Sequence, residues 1–548
     1  MKKYFCEIKL FIFMRVLCDG IMALSVAALP ALQKQLFDLV TGEVIKTNSF
    51  LRIIITYVVC LLGSVIFCYL SMIFTWKASL NFEQSIKRDF FKSIFSYSYE
   101  DFSAKDVGEY ISIQGNDITA LEQDYLTPLI DIIQAAIKII IFSVFLFLNV
   151  DWRISTVILL GSILTILIPK MASKPLATKR HTYLDEMGVY VSKIKDYLEG
   201  FKVIQSRTRK SINREHEKAL INTTNMRFKY GKFKCLTMAL EHLSLNCVSA
   251  IAFILAAILL LKREITMGTC VATFGYINSF IEPINNLMYD FNAVSSLKKT
   301  KQKILSYLRE VPNDKLTVKK QFNSDIVFDN VTFEYNNFSL KSVSCRFEKG
   351  KKYALIGHNG SGKSTLINML MSYTTPTSGT IKIDGENINS IDTAHIMYCL
   401  NQNEHIFFDD FMNNATVFSS YAESDVNKVT DNFKLKIVDV IKSNNNSEQL
   451  SGGEKQVLGI IRMITANTEI CLMDEPFAAT DVKTTEILEN TLLNMEEKTI
   501  IMVTHKLSKD LEKFDEVILV DSGKIVQKGT FEYICKTAEF KKMKMVQT

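Results

Sequence analysis

The chain divides by the pattern of its apolar positions. In the first part these come in long runs, at about 11–32, 51–74, 127–150, 152–171, 236–261 and 265–290. Most reach the roughly 20 residues that a helix needs to cross a bilayer. The 152–171 run is marginal, but no charge stands between Arg153 and Lys170. A soluble core rarely repeats runs of this length, so six membrane-spanning helices are expected. The intervals between runs are of two kinds. Those at 41–50, 149–153 and 262–264 are short, whereas 75–126 and 172–235 are long, polar and compatible with helix. The long ones predict helices that continue beyond the membrane as hairpins. Two glycine-punctuated stretches with aromatics, Phe102–Glu109 and Tyr197–Ile204, supply the turns. Near Val311-Pro312-Asn313-Asp314 the pattern changes. Apolar runs shorten and alternate with helical stretches, as in an α/β domain. Strands are expected at 326–328, 331–333, 344–347, 353–356, 379–385, 470–473, 498–503 and 515–520.

Composition agrees with this division. At 548 residues the chain exceeds one ordinary core. Apolar residues make up 48% and mean hydropathy is +0.12, which lean toward a membrane protein. Lys179, Arg180, Arg207, Arg209, Lys210 and Arg214 crowd the second long interval, and Lys2, Lys3 and Lys9 the amino terminus. By the positive-inside tendency all of these face the cytoplasm. An even number of spans returns the α/β part to the same side. The net charge of +6 is small, and no compact basic patch with interleaved aromatics occurs, so no nucleic-acid partner is expected. The 11 cysteines are scattered without metal-ligand spacing and are expected as free thiols. No small-residue cleavage site closes the first apolar run, so no cleavable signal is expected. Polar residues fall inside the spans: Asp19, Asp131, Lys138, Glu241, His242, Asn246, Asn278, Glu282, Asn285 and Asn286. Each is either a functional group or an interhelical or snorkelling contact. Pro283 is positioned to kink the sixth span.

Chemistry enters with Gly357-His358-Asn359-Gly360-Ser361-Gly362-Lys363-Ser364-Thr365, which has the spacing G-x-x-x-x-G-K-[ST]. The apolar strand 353–356 precedes it and the helix-like 366–370 follows. Such a loop turns backbone N–H groups onto phosphates, and the helix N-terminus adds positive potential. Lys363 can reach β- and γ-phosphates, and Ser364 can hold Mg²⁺. Farther on, the apolar residues 470–473 end in Asp474-Glu475. Asp474 can hold Mg²⁺ through water and Glu475 can polarise an attacking water. Leu450-Ser451-Gly452-Gly453-Glu454-Lys455-Gln456 opens another helix and makes a second phosphate-binding end. Two sites per chain, or one site shared between two chains, both use this pair of elements.

Together these motifs resemble the ATP-binding cassette transporters, specifically a half-transporter of the exporter type. The resemblance covers nearly the whole chain, in the family's order. Gly357–Thr365 is similar to Walker A, Leu450–Gln456 to the signature, Ile470–Glu475 to Walker B and Asp481 to the D-loop. It also implies roles for three residues that would be weak alone: Gln402 as the Q-loop residue and a Mg²⁺ ligand, His505 as the switch histidine, and Tyr335 stacking on adenine. In that family two cassettes sandwich two ATP molecules, so a second copy of this chain is the implied partner. Phe102–Glu109 and Glu199–Ile204 loosely match the coupling loops. Departures are Glu454 where Gln is commonest, a short Gln402–Leu450 stretch, and Ser443-Asn444-Asn445-Asn446-Ser447 where exporters often carry a Thr-Glu-Val-Gly-Glu-like segment. No peptidase domain precedes the first span, so a self-processing peptide exporter is not expected.

The expected architecture is an all-α six-helix transmembrane domain over 1–310, a linker over 311–325, and an α/β P-loop nucleotide-binding domain over 326–548. The expected function is ATP-driven export of a peptide, lipid or drug-like substrate from a bacterial plasma membrane, with ATP and Mg²⁺ as cofactors. Catalysis would rest on Glu475 as general base and on charge stabilisation by Lys363, Mg²⁺, Ser451 and His505. The nucleotide would contact Tyr335, 357–365, Gln402, Ser451, Gly452 and Gly453, and the metal Ser364, Gln402 and Asp474. The alternatives are an importer on the same scaffold and a membrane-tethered regulatory ATPase with no transported substrate.

Overall fold

The computed structural model describes every residue except 42–46, 309–315, 336–337, 434–435, 444–449, 506, 508 and 548. Side chains at 163–170, 173, 241, 288, 292, 296, 335, 338, 436 and 546–547 also lie outside the description. The chain forms two compact units. One comprises Met1–Ser96 and Asp106–Glu310, the other Tyr97–Lys105 and Val311–Thr548.

The first unit is helical. Its elements are α1 (Lys2–Thr41) and α2 (Thr47–Ile94), then, beyond the second unit's α3 (Tyr99–Ser103), α4 (Val107–Ser112), α5 (Ile118–Leu121) and α6 (Thr127–Asn149). There follow α7 (Trp152–Glu199), α8 (Ser206–Leu261), α9 (Met267–Ser296) and α10 (Lys298–Tyr307). Two π-turns, Ile113–Asp117 and Glu122–Leu126, join α4, α5 and α6 into one run. Among the described residues, Lys2–Thr41, Thr47–Ile94, Val107–Asn149 and Ser206–Leu261 are long and apolar enough to cross a membrane. The other two expected spans lie on α7 and α9. At about 1.5 Å per residue, the 56 residues of α8 far exceed a hydrocarbon core of about 30 Å. The helix is thus longer than one crossing requires, and its amino-terminal half is the polar one.

α1 packs on α2, α6 and α9, and α7 on α8. Ala27, Phe142, Leu146, Ile154, Ile158, Ala252 and Tyr276 belong to the buried cluster of this unit. There the Tyr276 hydroxyl donates to the Ala27 carbonyl at 3.0 Å. Leu62, Val65, Ile66 and Tyr69 of α2 are exposed, a face suited to lipid. All 11 cysteines are free thiols.

The second unit is built on sheets. Its strands are β1 (Thr317–Val318), β2 (Asp325–Tyr335), β3 (Phe338–Glu348), β4 (Lys352–Ile356), β5 (Ser378–Ile383), β6 (Glu386–Asn387), β7 (Ile391–Asp392) and β8 (Met397–Leu400). These continue as β9 (Ile470–Asp474), β10 (Thr499–Val503), β11 (Glu516–Asp521) and β12 (Lys524–Gly529). The main sheet has the order β12-β11-β4-β10-β9-β8, parallel except for the edge pair β11–β12. An antiparallel sheet has the order β3-β2-β5-β6, and β1 pairs with β7. The stretches 326–328 and 331–333, expected as separate strands, are one strand with register shifts between them. Asn330 takes a φ of +48° in this bulge, where a short polar side chain is tolerated.

Alternation along β4 assigns its two faces. Tyr353 and Leu355 pack with Leu366, Ile367 and Leu370 of α11 (Lys363–Leu370) and with Phe328 and Phe347 of the antiparallel sheet. Ala354 and Ile356 face the other core. That second core includes residues of α12 (Phe411–Thr416), α13 (Glu423–Phe433), α14 (Lys436–Ser443), α15 (Gly452–Ala466) and α16 (Val482–Leu493). The closing helices, α17 (Phe531–Ile534) and α18 (Ala538–Gln547), contribute Ile534, Phe540 and Met543. α3 belongs to this unit too. Ser98 caps it, and Tyr99 packs its ring against Tyr373 with centroids 4.5 Å apart.

Candidate functional site

The order β4-β10-β9-β8 puts four chain segments side by side. Each of these parallel strands ends in a residue group singled out above. The P-loop leaves β4, Thr504-His505 leaves β10, Asp474-Glu475 closes β9, and Asn401-Gln402 leaves β8. Register aligns them: Leu355 pairs with Val503, Val503 with Asp474, and Met473 with Leu400. Ligands bind at such carboxyl ends of parallel strands.

The P-loop is held from beneath. A Cβ on Gly357 would lie 2.1 Å from the Val520 carbonyl oxygen, so β11 leaves room only for glycine. Gly523 N–H donates to the Ser361 carbonyl at 3.1 Å, tying the loop to the β11–β12 turn. Gly360 and Gly362 take φ values of +77° and +109°, and Gly362 caps α11. Lys363 is 5% exposed, and its Nζ donates to the carbonyls of Gly357 at 3.0 Å and His358 at 2.9 Å. Burial pushes its pKa down, while the nearby carboxylates of Glu475 and Asp474 act in the opposite sense. His358 and Thr365 are half-buried, and Asn359 and Ser364 are exposed. The Ser361 hydroxyl is buried without a hydrogen-bond partner. A cradle of backbone, a buried ammonium and an orphaned hydroxyl fit a polyphosphate.

Glu475 is the point of convergence. It takes a φ of +50°, and its N–H donates to the Val503 carbonyl at 3.1 Å. His505 Nε2 lies 2.5 Å from Oε1, and Gln402 Nε2 donates to Oε2 at 3.1 Å. The structure therefore brings Gln402, Glu475 and His505 into contact beside Asp474, within electrostatic reach of Lys363. A carboxylate oriented in this way can accept a proton from water once one of the two partners yields. The hard oxygen donors of Ser364, Asp474 and Gln402 fit Mg²⁺. Tyr335 ends β2, and its side chain lies outside the described residues.

The glycine-bearing segment expected as a second phosphate-binding end starts α15. Ser451 is its N-cap: its hydroxyl accepts from Glu454 N–H at 3.4 Å, and its own N–H donates to Glu454 Oε2 at 2.7 Å. Glu454, the departure in the signature, thus completes a capping box. A Cβ on Gly453 would lie 2.8 Å from the Ala479 carbonyl oxygen, and on Gly452 3.3 Å from the Ala479 Cβ. The small residues here are required by the chain's own loop after β9, not only by a nucleotide. Asp481 caps α16, accepting from Thr484 N–H at 3.0 Å. Sequence reasoning missed Arg462 and Glu404, a buried pair at 3.1 Å that ties the Gln402 loop to α15. It also missed Arg15, Ser71, Gln134 and Asp290 in the membrane unit. Its Lys138 and Glu282 pair across α6 and α9 at 3.2 Å.

Two family models match the chain. The model described as the ABC transporter transmembrane region covers residues 12–284, and the ABC transporter model covers 340–478. The chain is 24% identical to an ATP-dependent lipid A-core flippase of Photobacterium profundum, over 82% of this chain and 80% of the relative. It is 25% identical to the multidrug resistance-like ATP-binding protein MdlB of Buchnera aphidicola, over 88% and 86%. Its fold is similar to that of a bacterial Atm1-family ABC exporter with ATP bound. The TM-score is 0.82 and the identity 19%, over 99% of this chain and 98% of the other.

Proposed function

Because the chain belongs to the ABC transporter family as an exporter-type half-transporter, a membrane ATPase that drives export, we propose that two copies form the working unit. Each would hold ATP between its own P-loop and the signature end of the partner. The observation that carries this reading is the convergence of Lys363, Gln402, Asp474, Glu475 and His505 along one sheet edge, with Ser451 heading a separate helix. That edge supplies the binding, metal-holding and proton-accepting groups for one phosphate chain, and Ser451 is left to serve another. Glu475 takes the proton of the attacking water, His505 and Gln402 orient it, and Lys363 stabilises phosphate charge. Ser364, Gln402 and Asp474 would hold Mg²⁺, which neutralises charge on the transferring phosphoryl group. A peptide, lipid or drug-like molecule is the exported class, and the basic interval 172–235 supports a cytoplasmic cassette by the positive-inside tendency. Similarity to exporters, flippases and multidrug-type proteins favours export over import.

The decisive experiment mixes two variants. Gly453→Asp is a poor probe because it clashes with Ala479 in its own chain. Ser451→Asp keeps a good N-cap and adds a negative charge where the partner's γ-phosphate would lie. Alone it should bind ATP and lose hydrolysis, whereas Lys363→Ala should lose hydrolysis because phosphate binding is weakened. Mixed, one site carries both lesions and the other neither. ATP turnover should return, to at most about half of wild type. Full activity of Ser451→Asp alone would refute the shared site.

A further inference from the structure

We propose that the membrane unit carries a binding site for a cationic nitrogen, an ammonium or guanidinium on the exported molecule, between Asp131 and Asp290; this rests on the transporter reading. The site lies where α1, α2, α6 and α9 meet. Arg15 of α1 contacts Asp131 of α6 through Nη2, and its Nε lies 3.4 Å from Asp19 one turn on. Asp19 accepts on Oδ1 from Ser71 of α2 at 2.6 Å and from Gln134 of α6 at 2.7 Å, and its Oδ2 faces Arg15. Asp290 of α9 is different. It is 4% exposed, its Oδ2 has no hydrogen-bond partner, and the charges of Asp131 and Arg15 both reach it.

Three carboxylates against one guanidinium leave negative charge in excess here, even though Arg15 Nε and Nη1 are themselves buried without a hydrogen-bond partner. A buried charge without a partner is costly, and ionisable groups within spans mark ligand or ion pathways. A cation between Asp131 and Asp290 removes their repulsion and supplies the acceptor on Asp290 with a donor. Asp131 keeps 32% of its side chain exposed, so the site has an open side. An anionic group would meet two like charges there, and a neutral one would leave the imbalance in place.

The test uses the full chain in phosphatidylcholine nanodiscs, whose zwitterionic lipid does not concentrate cations. The probe is dansylcadaverine, one fluorescent ring system with one primary ammonium; the control is its neutral N-acetylated form. Wild type should bind the ammonium form at least tenfold more tightly than the acetylated form. Asp290→Asn, nearly isosteric, should abolish that preference, and Asp131→Asn should do the same if the first variant folds poorly. Displacement of the probe by Na⁺ or K⁺, but not by choline at equal ionic strength, would assign the site to an inorganic ion and overturn its reading as a site for a nitrogen of the exported molecule. Equal affinity for the two probe forms in wild type overturns the proposal. So does a preference that survives Asp290→Asn, which would mean Arg15 alone satisfies that carboxylate. Absence of probe-free ATP turnover from wild type would count against the transporter reading and leave the binding comparison standing.

Discussion

Glu475 carries much of the proposed reaction in one residue. Its left-handed φ of +50° is uncommon for a side chain of this size and stores on the order of 1–3 kcal/mol. That turn lets its carboxylate meet Gln402 and His505 at once. Glu475→Gln should therefore keep ATP binding, since the P-loop is untouched, and lower turnover by about 10²–10⁴-fold. Nucleotide affinity and steady-state hydrolysis of the purified chain check this; turnover within a few-fold of wild type would remove Glu475 from the general-base role. At this scale the sequence was informative wherever chemistry needs a fixed spacing. Lys363, Ser364 and Asp474 stand out because a P-loop and a strand-end carboxylate have recognisable local context. Gly453 was harder to read, because its neighbour Ala479 comes from a later loop. Arg15 and Asp290 were hidden for a different reason: each sits near the end of an apolar run, where a charge looks like a boundary.

At the scale of elements, the parallel sheet does the positioning. Four strands in the order β4-β10-β9-β8 deliver their terminal residues to one edge, although these come from distant stretches of sequence. The strands were legible from short apolar runs; their order in space was not, because adjacency depends on which faces pack on α11 and α15. The helix α15 is anchored from its middle. Arg462 donates to Glu404 Oε1 and to the carbonyls of His405 and Asn414, and its side chain is 6% exposed. Burial pushes the Glu404 carboxyl up, and Arg462 pulls it back down. Arg462→Leu would strand that carboxylate, which typically costs about 3–5 kcal/mol. The apparent unfolding temperature of the cassette in the full chain should fall. The double variant Arg462→Leu with Glu404→Leu should lose less than the sum of the two single changes. Additive losses would mean that the two side chains act separately. The π-turns at 113–117 and 122–126 illustrate the limit of periodicity: each is a single wide turn of five residues, too short to register in an apolar pattern read over several turns.

At the scale of the molecule, the tip of the α7–α8 hairpin is conspicuous. Leu198, Phe201 and Val203 are 68%, 73% and 74% exposed. An apolar tip of this kind suits a protein partner, which a second copy would provide. The chain expressed alone and held in nanodiscs should give a protein mass of twice 62.4 kDa. Phe201→Asp should lower ATP turnover severalfold while leaving nucleotide affinity at the P-loop intact. A monomer with full hydrolysis is the contrary result. The helical membrane domain and the α/β cassette were legible because both leave long periodic traces. The membership of Tyr97–Lys105 in the second unit was not, since Tyr99 meets Tyr373 roughly 270 residues later. That separation also sets a timetable. At about 5–20 residues per second, a ribosome makes Tyr373 roughly 15–55 s after Tyr99. Through that interval α3 has been synthesised but its docking surface has not. The turn between α2 and α4 must wait, open to chaperones and proteases, until Tyr373, about two-thirds of the way along the chain, has emerged.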